Sequence, residues 1–381
     1  KLTNMNYLKF ITFLLVLTSC SKDESSGDVS NGPLTVHGRV VAPNGLDPIS
    51  GSKITLQLPD NTNAVGYSDA KGNFSIENIN YGVYIVSSTK GLFSNQRAMD
   101  LSETTTEFDF DLGDIILDGI PNIGVVTGAY DTIESILYDI GLVNPVTGNP
   151  LFDIIDGEDF NRLSSSHMHQ SNSNQRTSEN SQLDPNVDFT FEELLNNSAQ
   201  LAEYDILFLN CGLDTSDAEL SSAIFDYVNN GGILYATDWA YPFIESLNTL
   251  SGIDYITYQQ PYKSGESITT EAIILSSELN DWLSLNFDLT VDNTVIIDEF
   301  LPSWQVVESH DVSNTIAWLN GPVTYRNDAE TITENKELAF TFLVGDGGVF
   351  YSSFHTENNE NGFTCVDRVM EYLVFELANI K

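Results

Sequence analysis

Hydrophobic and polar residues alternate in short runs along the first third of the chain. Leu34–Val41, Lys53–Leu58 and Gly72–Ile76 show this alternation, and turn residues such as those at 43–45 separate the runs at short intervals. A period of two places apolar side chains on one face of a strand, and short strands with regular turns are typical of two packed sheets. We therefore predict a β-sandwich over residues 33–119.

The pattern changes after residue 120. The apolar runs Ile123–Thr127, Tyr204–Asn210 and Ile233–Thr237 predict buried strands, and a helix with an apolar stripe, Ala218–Val228, stands between the last two. A strand, a helix and a strand joined by tight turns form a right-handed unit whose two strands are parallel. We predict an α/β domain over residues 120–381, built on a parallel sheet.

Two segments interrupt this α/β pattern. A polar stretch rich in serine and asparagine, 164–186, predicts an insert without a packed core, although two of its residues, His167 and His169, are spaced so that they could share a metal. A second segment, 242–319, contains several tryptophan and tyrosine residues and predicts a cap over the carboxyl edge of the sheet, where open α/β sheets bind ligands. Aromatic residues there suit carbohydrate binding as well as ordinary packing.

The first twenty residues carry an export pattern. The apolar run Phe10–Leu17 is shorter than the roughly 20 residues that span a bilayer, so residues 1–19 are predicted to be a signal peptide. The run ends directly before Cys20 in a pattern that resembles the lipobox of bacterial lipoproteins, which implies acylation of Cys20. An ordinary secretory signal with an incidental cysteine is the alternative.

A flexible tether, 20–32, follows the proposed acylated cysteine. Its acidic, polar start resembles the surface-export signal of Bacteroidetes lipoproteins, which implies an outer-membrane lipoprotein that faces the cell surface; a plain linker is the alternative. Several acyl chains on one residue would hold such a chain on a membrane.

Composition and charge exclude one class of partner. The 381 residues include 15 lysines and arginines against 55 aspartates and glutamates, a formal net charge of −40, so a nucleic-acid backbone would be repelled. The acidic pair Asp298–Glu299 offers oxygen ligands for Ca²⁺, but no EF-hand spacing accompanies it. The sequence therefore predicts a solvated acidic surface, no metal and no cofactor. Of the cysteines, Cys211 and Cys365 either pair or remain free.

The stretch Gly66–Tyr84 resembles the carboxypeptidase regulatory-like domain. That family runs from a turn with aspartate and glycine into an aromatic strand and then a Gly-x-Tyr strand, as in the sequence 69–84. The resemblance implies a prealbumin-like sandwich that acts as a spacer or binding module and has no catalytic residues.

Three segments resemble the type 1 glutamine amidotransferase-like domain. Tyr204–Gly212 is similar to the strand and glycine loop on its oxyanion side, and Tyr227–Ala236 to the approach to its nucleophile elbow. Val349–Glu357 is similar to its Phe-His-Pro-Glu strand end, with Thr356 in place of proline. The resemblance implies a flavodoxin-like α/β fold.

The same resemblance implies roles for individual residues. Cys211 and Gly212 correspond to the oxyanion loop, and His355 and Glu357 to the catalytic histidine and its acidic partner. The nucleophile position carries Asp238 rather than cysteine, and a carboxylate cannot replace the thiolate of an amidotransferase.

The roles of these residues stay open at the sequence level. Asp238 and His355 could activate water, ligate a metal, bind a ligand without turnover or form a structural ion pair. Cys211 is either a displaced nucleophile or an inert buried cysteine. Trp239 and Tyr241 flank the elbow and are candidates for stacking on a sugar, or for packing.

We therefore expect a membrane-anchored binding or accessory protein of the cell envelope, with a glycan or an envelope protein as its partner. The alternative is a hydrolase that uses Asp238, His355 and Glu357, with or without a metal. A functional glutamine amidotransferase is not expected.

Overall fold

The computed structural model describes residues 34–57, 63–101, 109–157, 183–213, 221–260, 263–300, 302–327, 330–356 and 363–376. Outside these residues lie Cys20 with the predicted signal peptide and tether, the pair His167 and His169, and Glu357. Within the described ranges, no helix has both the length and the apolar character needed to cross a membrane.

The first region consists of seven strands in two sheets. The strands are β1 (Leu34–Val41), β2 (Lys53–Gln57), β3 (Asn63–Tyr67), β4 (Asn73–Ile79), β5 (Gly82–Lys90), β6 (Phe93–Leu101) and β7 (Asp109–Ile116). One sheet has the order β4-β1-β7 and the other β3-β2-β5-β6, with only β1 and β7 running parallel. In β4, Phe74 and Ile76 are buried while Ser75 and Glu77 are exposed, as the alternation predicts. The predicted β-sandwich class is confirmed.

The second region is built on a nine-stranded sheet with helices on its faces. The strands of the region are β8 (Ile123–Val126), β9 (Asp153–Ile155), β10 (Ile206–Leu209), β11 (Ile233–Thr237), β12 (Ile256–Tyr258), β13 (Ile268–Ile274), β14 (Thr294–Phe300), β15 (Val307–His310), β16 (Thr315–Asn327), β17 (Glu330–Val344) and β18 (Gly347–Ser352). Nine of these strands form the sheet, and β12 and β15 form a separate pair. The helices are α1 (Ile133–Asp139), α2 (Phe191–Leu195), α3 (Ser198–Leu201), α4 (Ser221–Asn229), α5 (Tyr241–Ser251), α6 (Ser277–Phe287) and α7 (Cys365–Glu376).

The parallel α/β core predicted from the sequence is confirmed, and it is extended into a mixed sheet. The order is β14-β13-β16-β17-β18-β11-β10-β8-β9, in which β18, β11, β10, β8 and β9 are mutually parallel and the rest pair antiparallel. Strands β16 and β17 are only two residues apart along the chain, and strands that follow each other so closely pair antiparallel.

The parallel strands are buried on both faces. In β10, Ile206 and Phe208 belong to the hydrophobic core on one side of the sheet, and Leu207 and Leu209 to the core on the other. Such strands read as continuous apolar runs because helices cover both faces of a parallel sheet.

The segment 242–319, for which the sequence predicts a cap, has two structural roles. Its strands β13 and β14 and the start of β16 extend the nine-stranded sheet, while β12 and β15 form a separate antiparallel pair. Residues 303–305 lie over the end of β11, where the backbone N–H of Gln305 donates to Asp238 Oδ1 at 2.9 Å.

Charged side chains join the sandwich to the α/β region. Arg368 on α7 lies 2.8 Å from Asp47 Oδ2 and 2.5 Å from Glu371 Oε2, and Lys90 forms an ion pair with Glu376. We call these five residues the interface cluster. Apolar contacts surround it: the rings of Phe93 and Phe375 lie 4.6 Å apart between centroids, and Trp282 Nε1 donates to the Pro48 carbonyl at 2.7 Å.

Candidate functional site

Asp238 occupies a sharp turn between strand β11 and helix α5. Residues 238–240 form a single 3₁₀ turn, and Asp238 has φ = +31° although it is not glycine. Asp238 is fully buried, and the hydroxyl of Tyr351 donates to its backbone carbonyl at 3.2 Å. The structure therefore places Asp238 on a strand-to-helix elbow, at the position where the sequence resemblance puts a nucleophile.

Cys211 and His355 follow the two neighbours of β11 in the sheet. Cys211 stands shortly after the end of β10, and His355 shortly after the end of β18. Because parallel strands end at the same edge, the three side chains converge there. His355 Nε2 lies 3.2 Å from Asp238 Oδ2 and 3.0 Å from Cys211 Sγ, and Sγ lies 3.7 Å from the same Oδ2. We call Cys211, Asp238 and His355 the edge cluster.

The arrangement around His355 differs from that of a nucleophilic triad. In a triad the nucleophile and the carboxylate contact opposite nitrogens of the imidazole. The carboxylate orients the ring, and the nucleophile gives it a proton. Here Sγ and Oδ2 both face Nε2. Burial, together with the negative charges of Asp238 and Asp131, raises the pKa of the Cys211 thiol well above its usual value. A thiol held neutral in this way is a poor nucleophile.

Asp131, which sequence reasoning did not single out, links the strand ends beneath the edge cluster. It lies between β8 and α1 and is buried. Its Oδ1 accepts from the backbone N–H and the hydroxyl of Thr356, at 2.6 and 2.5 Å. Its Oδ2 accepts from the backbone N–H of Cys211 at 3.1 Å and from the Thr237 hydroxyl. One carboxylate therefore fixes the ends of three adjacent strands.

Glu134 is a further buried carboxylate close to this edge, and it was also missed. It accepts from Asn210 Nδ2 at 2.9 Å, and the same amide contacts the Asp131 carbonyl at 3.3 Å. Burial raises the pKa of Glu134 to about 8. Burial likewise raises the pKa of Asp131, while the positive charge of His355 lowers it. The signal in the sequence was an acidic residue shortly after a buried strand: Asp131 on the loop after β8, and Glu134 at the start of α1.

Exposed aromatic side chains flank the buried groups. Trp239, next to Asp238, is 43% exposed and donates from Nε1 to the Ser303 carbonyl at 3.1 Å. The half-buried ring of Tyr241 lies 6.4 Å from it, edge to face. Tyr130, next to Asp131, is 57% exposed, and its backbone N–H donates to the Cys211 carbonyl at 3.1 Å.

Gly212 allows the loop carrying Tyr130 to approach the cluster. It has φ = +87°, and a Cβ at this position would lie 2.6 Å from Tyr130 Cδ2 and 2.8 Å from the Ala129 nitrogen. Only glycine fits both the backbone conformation and the space. This gives Gly212 a steric role at the edge, next to Cys211.

Asp298 and Cys365, two other candidates from the sequence, are not part of the edge cluster. Asp298 is exposed on β14. Cys211 and Cys365 are both free, so the disulfide left open by the sequence is not formed. Glu357 and Cys20 lie outside the described residues.

The edge cluster also has the composition of a metal site. One ligand atom from each of Cys211, Asp238 and His355 lies within 4.8 Å of the other two, and all three residues are buried. The sequence left open that Asp238 and His355 ligate a metal, but it did not indicate Cys211 as a third ligand.

Comparison with known proteins gives distant fold similarities. No protein-family model and no curated protein matches the chain. Among solved structures it is similar to a putative ThuA-like protein from Bacteroides uniformis, at 10% identity over 66% of this chain and 88% of that chain, with a TM-score of 0.36. It is similar to Gan42B, a GH42 β-galactosidase from G. stearothermophilus, at 12% identity over 51% of this chain and 23% of that chain, with a TM-score of 0.28.

A third similarity concerns the sandwich. The major pilin subunit BcpA of Bacillus cereus matches 23% of this chain at 17% identity with a TM-score of 0.19, and the match spans 30% of the pilin. All three TM-scores are below 0.5. The fold therefore rests on the sheet topology described above, and any function must follow from the site itself.

Proposed function

We propose that this chain is a binding or accessory protein of the cell envelope, and that the carboxyl edge of its nine-stranded sheet binds a neutral glycan. The observation that carries the proposal is the pairing of exposed rings with buried polar groups. Trp239 and Tyr130 are the direct neighbours of Asp238 and Asp131, and both rings are open to solvent. Exposed tryptophan and tyrosine rings provide flat apolar surfaces on which a sugar can stack.

Charge narrows the class of glycan. A chain with a net charge of −40 repels polyanions, so uronic-acid or sulfated polysaccharides are disfavoured relative to neutral ones. The burial of Cys211, Asp238 and His355 favours binding over turnover, because residues 303–305 lie over Asp238. We further infer that the second domain is a degenerate relative of the type 1 glutamine amidotransferase-like domain, since Asp238 stands on the elbow.

The glycan proposal is tested with the full chain by titration calorimetry against a panel of neutral and acidic oligosaccharides. We expect a neutral member to bind and Trp239→Ala to weaken that binding at least tenfold. Tyr67→Ala is the matched control, because Tyr67 is an exposed ring on β3 of the sandwich. The proposal would be contradicted if no neutral oligosaccharide of the panel binds, or if Trp239→Ala binds as tightly as the wild type.

A hydrolase is the second candidate, favoured by the backbone of Asp238. A buried aspartate at φ = +31° is a strained conformation, and such strain is concentrated at functional sites. If the chain is a hydrolase, turnover of a neutral glycan in the wild type will be abolished in His355→Ala. If it only binds, the panel shows no turnover, and His355→Ala retains the fold and the ligand.

The membrane anchor is a separate proposal that rests on the sequence around Cys20. Acylation there would place the chain in the outer membrane and at the cell surface. In cells that express the full chain, metabolic labelling with palmitate should mark the wild type and not Cys20→Ala, which should leave the membrane fraction. A Cys20→Ala variant that is still labelled would exclude this anchor.

A further inference from the structure

The three donor atoms of the edge cluster are spaced like the ligands of a tetrahedral metal ion. Zn–N and Zn–O bonds of about 2.0–2.2 Å and Zn–S bonds of about 2.3 Å, at tetrahedral angles, put neighbouring ligand atoms roughly 3.3–3.6 Å apart. The observed separations are 3.0 Å for Nε2 to Sγ, 3.2 Å for Nε2 to Oδ2 and 3.7 Å for Sγ to Oδ2. A shift of a few tenths of an ångström would place all three around one ion.

We propose that Cys211, Asp238 and His355 form a binding site for one Zn²⁺ ion, with the fourth coordination position left for water or an oxygen of a ligand. This inference goes beyond the proposed glycan binding and does not depend on it, because the metal ligands and the exposed rings are different side chains.

The donor set determines which metal is expected. Ca²⁺ and Mg²⁺ prefer six or more oxygen ligands, whereas a thiolate, an imidazole and a carboxylate suit Zn²⁺. Three protein ligands with one open position are characteristic of catalytic rather than structural zinc. The ion proposed here is therefore zinc at Cys211, and not the Ca²⁺ considered for Asp298.

The charge around the site favours a cation. Asp131, Glu134 and Asp238 are buried near the same edge, and among the described residues no lysine or arginine contacts them. When Zn²⁺ binds, the Cys211 thiol loses its proton to solvent. One Zn²⁺, one thiolate, one carboxylate and one neutral imidazole then sum to zero charge, which lowers the cost of burying the group.

Neighbouring groups already hold two of the three ligands in position. The backbone N–H of Gln305 donates to Asp238 Oδ1 at 2.9 Å, and the other carboxylate oxygen, Oδ2, faces His355. Asp131 holds the backbone N–H of Cys211 at 3.1 Å, which fixes the loop that carries Sγ. Groups that orient the ligands in this way typically change metal affinity about 10–100-fold when they are removed.

The experiment measures metal content and cobalt spectra of the full chain. The wild type, purified without chelator, should contain about one zinc per chain by mass spectrometry. After zinc is removed and Co²⁺ is added, it should show the near-ultraviolet absorption of a cobalt–thiolate bond. Cys211→Ser should lose that band, and His355→Ala should lower zinc content at least tenfold. Cys365→Ser and His310→Ala are the matched controls, because they change the same residue types outside the cluster.

A second measurement tests the site even if the variants of the edge cluster fail to fold, because it uses the wild type and a control variant. In the wild type and in Cys365→Ser, adding Zn²⁺ after chelation should raise the Tm, because an ion that binds only the folded chain stabilises it. The proposal is overturned if the wild type takes up neither Zn²⁺ nor Co²⁺, or if the cobalt band persists in Cys211→Ser. Glycan binding by the wild type is scored separately, so either proposal can fail without the other.

Discussion

The interface cluster and the edge cluster are both buried, but their negative charge is balanced differently. In the interface cluster, Arg368 contacts Asp47 and Glu371 and is held between the rings of Phe287 and Phe363, at 4.1 and 3.9 Å from their centroids. At the edge of the sheet, the only basic side chain that contacts a carboxylate among the described residues is the imidazole of His355.

The difference separates a structural group of charges from a candidate binding site. Buried carboxylates are costly unless a cation or several donors compensate them. The interface cluster contains its own cations, so it needs no further partner. At the edge, Asp131 is satisfied by four donors, whereas Asp238 shares one imidazole nitrogen with a thiol. An added cation would therefore stabilise the chain more at Asp238 than at Asp131.

The largest effect on stability is expected at Arg368. Arg368→Met leaves Glu371 and Asp47 buried without their cation, and breaking a buried pair in this way typically costs about 3–5 kcal/mol. Urea unfolding of the full chain measures the change. Arg326→Met is the matched control, because Arg326 pairs with Glu266 at the surface, where an ion pair contributes about 1 kcal/mol or less. Equal losses in the two variants would show that the interface cluster does not join the two regions.

A smaller loss is expected at Asp131. In Asp131→Asn one carboxylate oxygen becomes an NH₂ group that faces the donors it formerly accepted from, which leaves buried N–H groups of Thr356 or Cys211 unsatisfied. We expect a loss of about 1–3 kcal/mol in the free energy of unfolding. Asp226→Asn, an exposed position on α4, should change it by less than about 0.5 kcal/mol. If Asp131→Asn leaves the free energy of unfolding unchanged, the strand ends are held by packing alone.

A change in the pH dependence of stability is expected at Glu371. Burial and the charge of Asp47 raise the pKa of Glu371 to about 8 from an ordinary 4.5, although Arg368 opposes them. The folded chain therefore holds this proton more tightly than the unfolded chain. The proton on Glu371 therefore stabilises the folded chain. This stabilisation is complete below pH 4.5 and is lost as the pH rises towards 8.

Glu371→Gln should remove that loss and reduce the slope of the stability curve between pH 5 and 8. Burial also raises the pKa of Glu134 to about 8 and that of Asp367 to about 6, and both residues remain in the variant, so part of the slope should persist. Equilibrium unfolding at several pH values measures both. An unchanged curve in Glu371→Gln would place the pH dependence elsewhere in the chain.

The sequence predicted much of the site's position and little of its chemistry. Asp238 was placed on an elbow, with His355 and Cys211 close to it, by the resemblance to the type 1 glutamine amidotransferase-like domain. The apolar strand that ends directly before Asp238 agrees with that placement. That Asp238 and Cys211 would both contact a single nitrogen of the imidazole could not be predicted, because it depends on rotamers and loop paths that no local pattern contains.

Asp131 and Glu134 show the other limit. Acidic residues are abundant in this chain, 55 in all, so one more after a strand carries little signal until its burial is known. The antiparallel half of the sheet was missed for a similar reason. Strands in 268–344 alternate like those of any sheet, and alternation does not specify which neighbour a strand will pair with.

By itself, the sequence determined the two structural classes, the order of strands and helices in the α/β core, and the carboxyl edge as the place where polar groups gather. These follow from local periodicity and from the direction of parallel strands, which a linear pattern encodes. Only the tertiary structure decided that Cys211, Asp238 and His355 meet within ligand distance and that the interface cluster contains its own cations. Both facts depend on contacts between residues up to 321 positions apart, which only packing brings together.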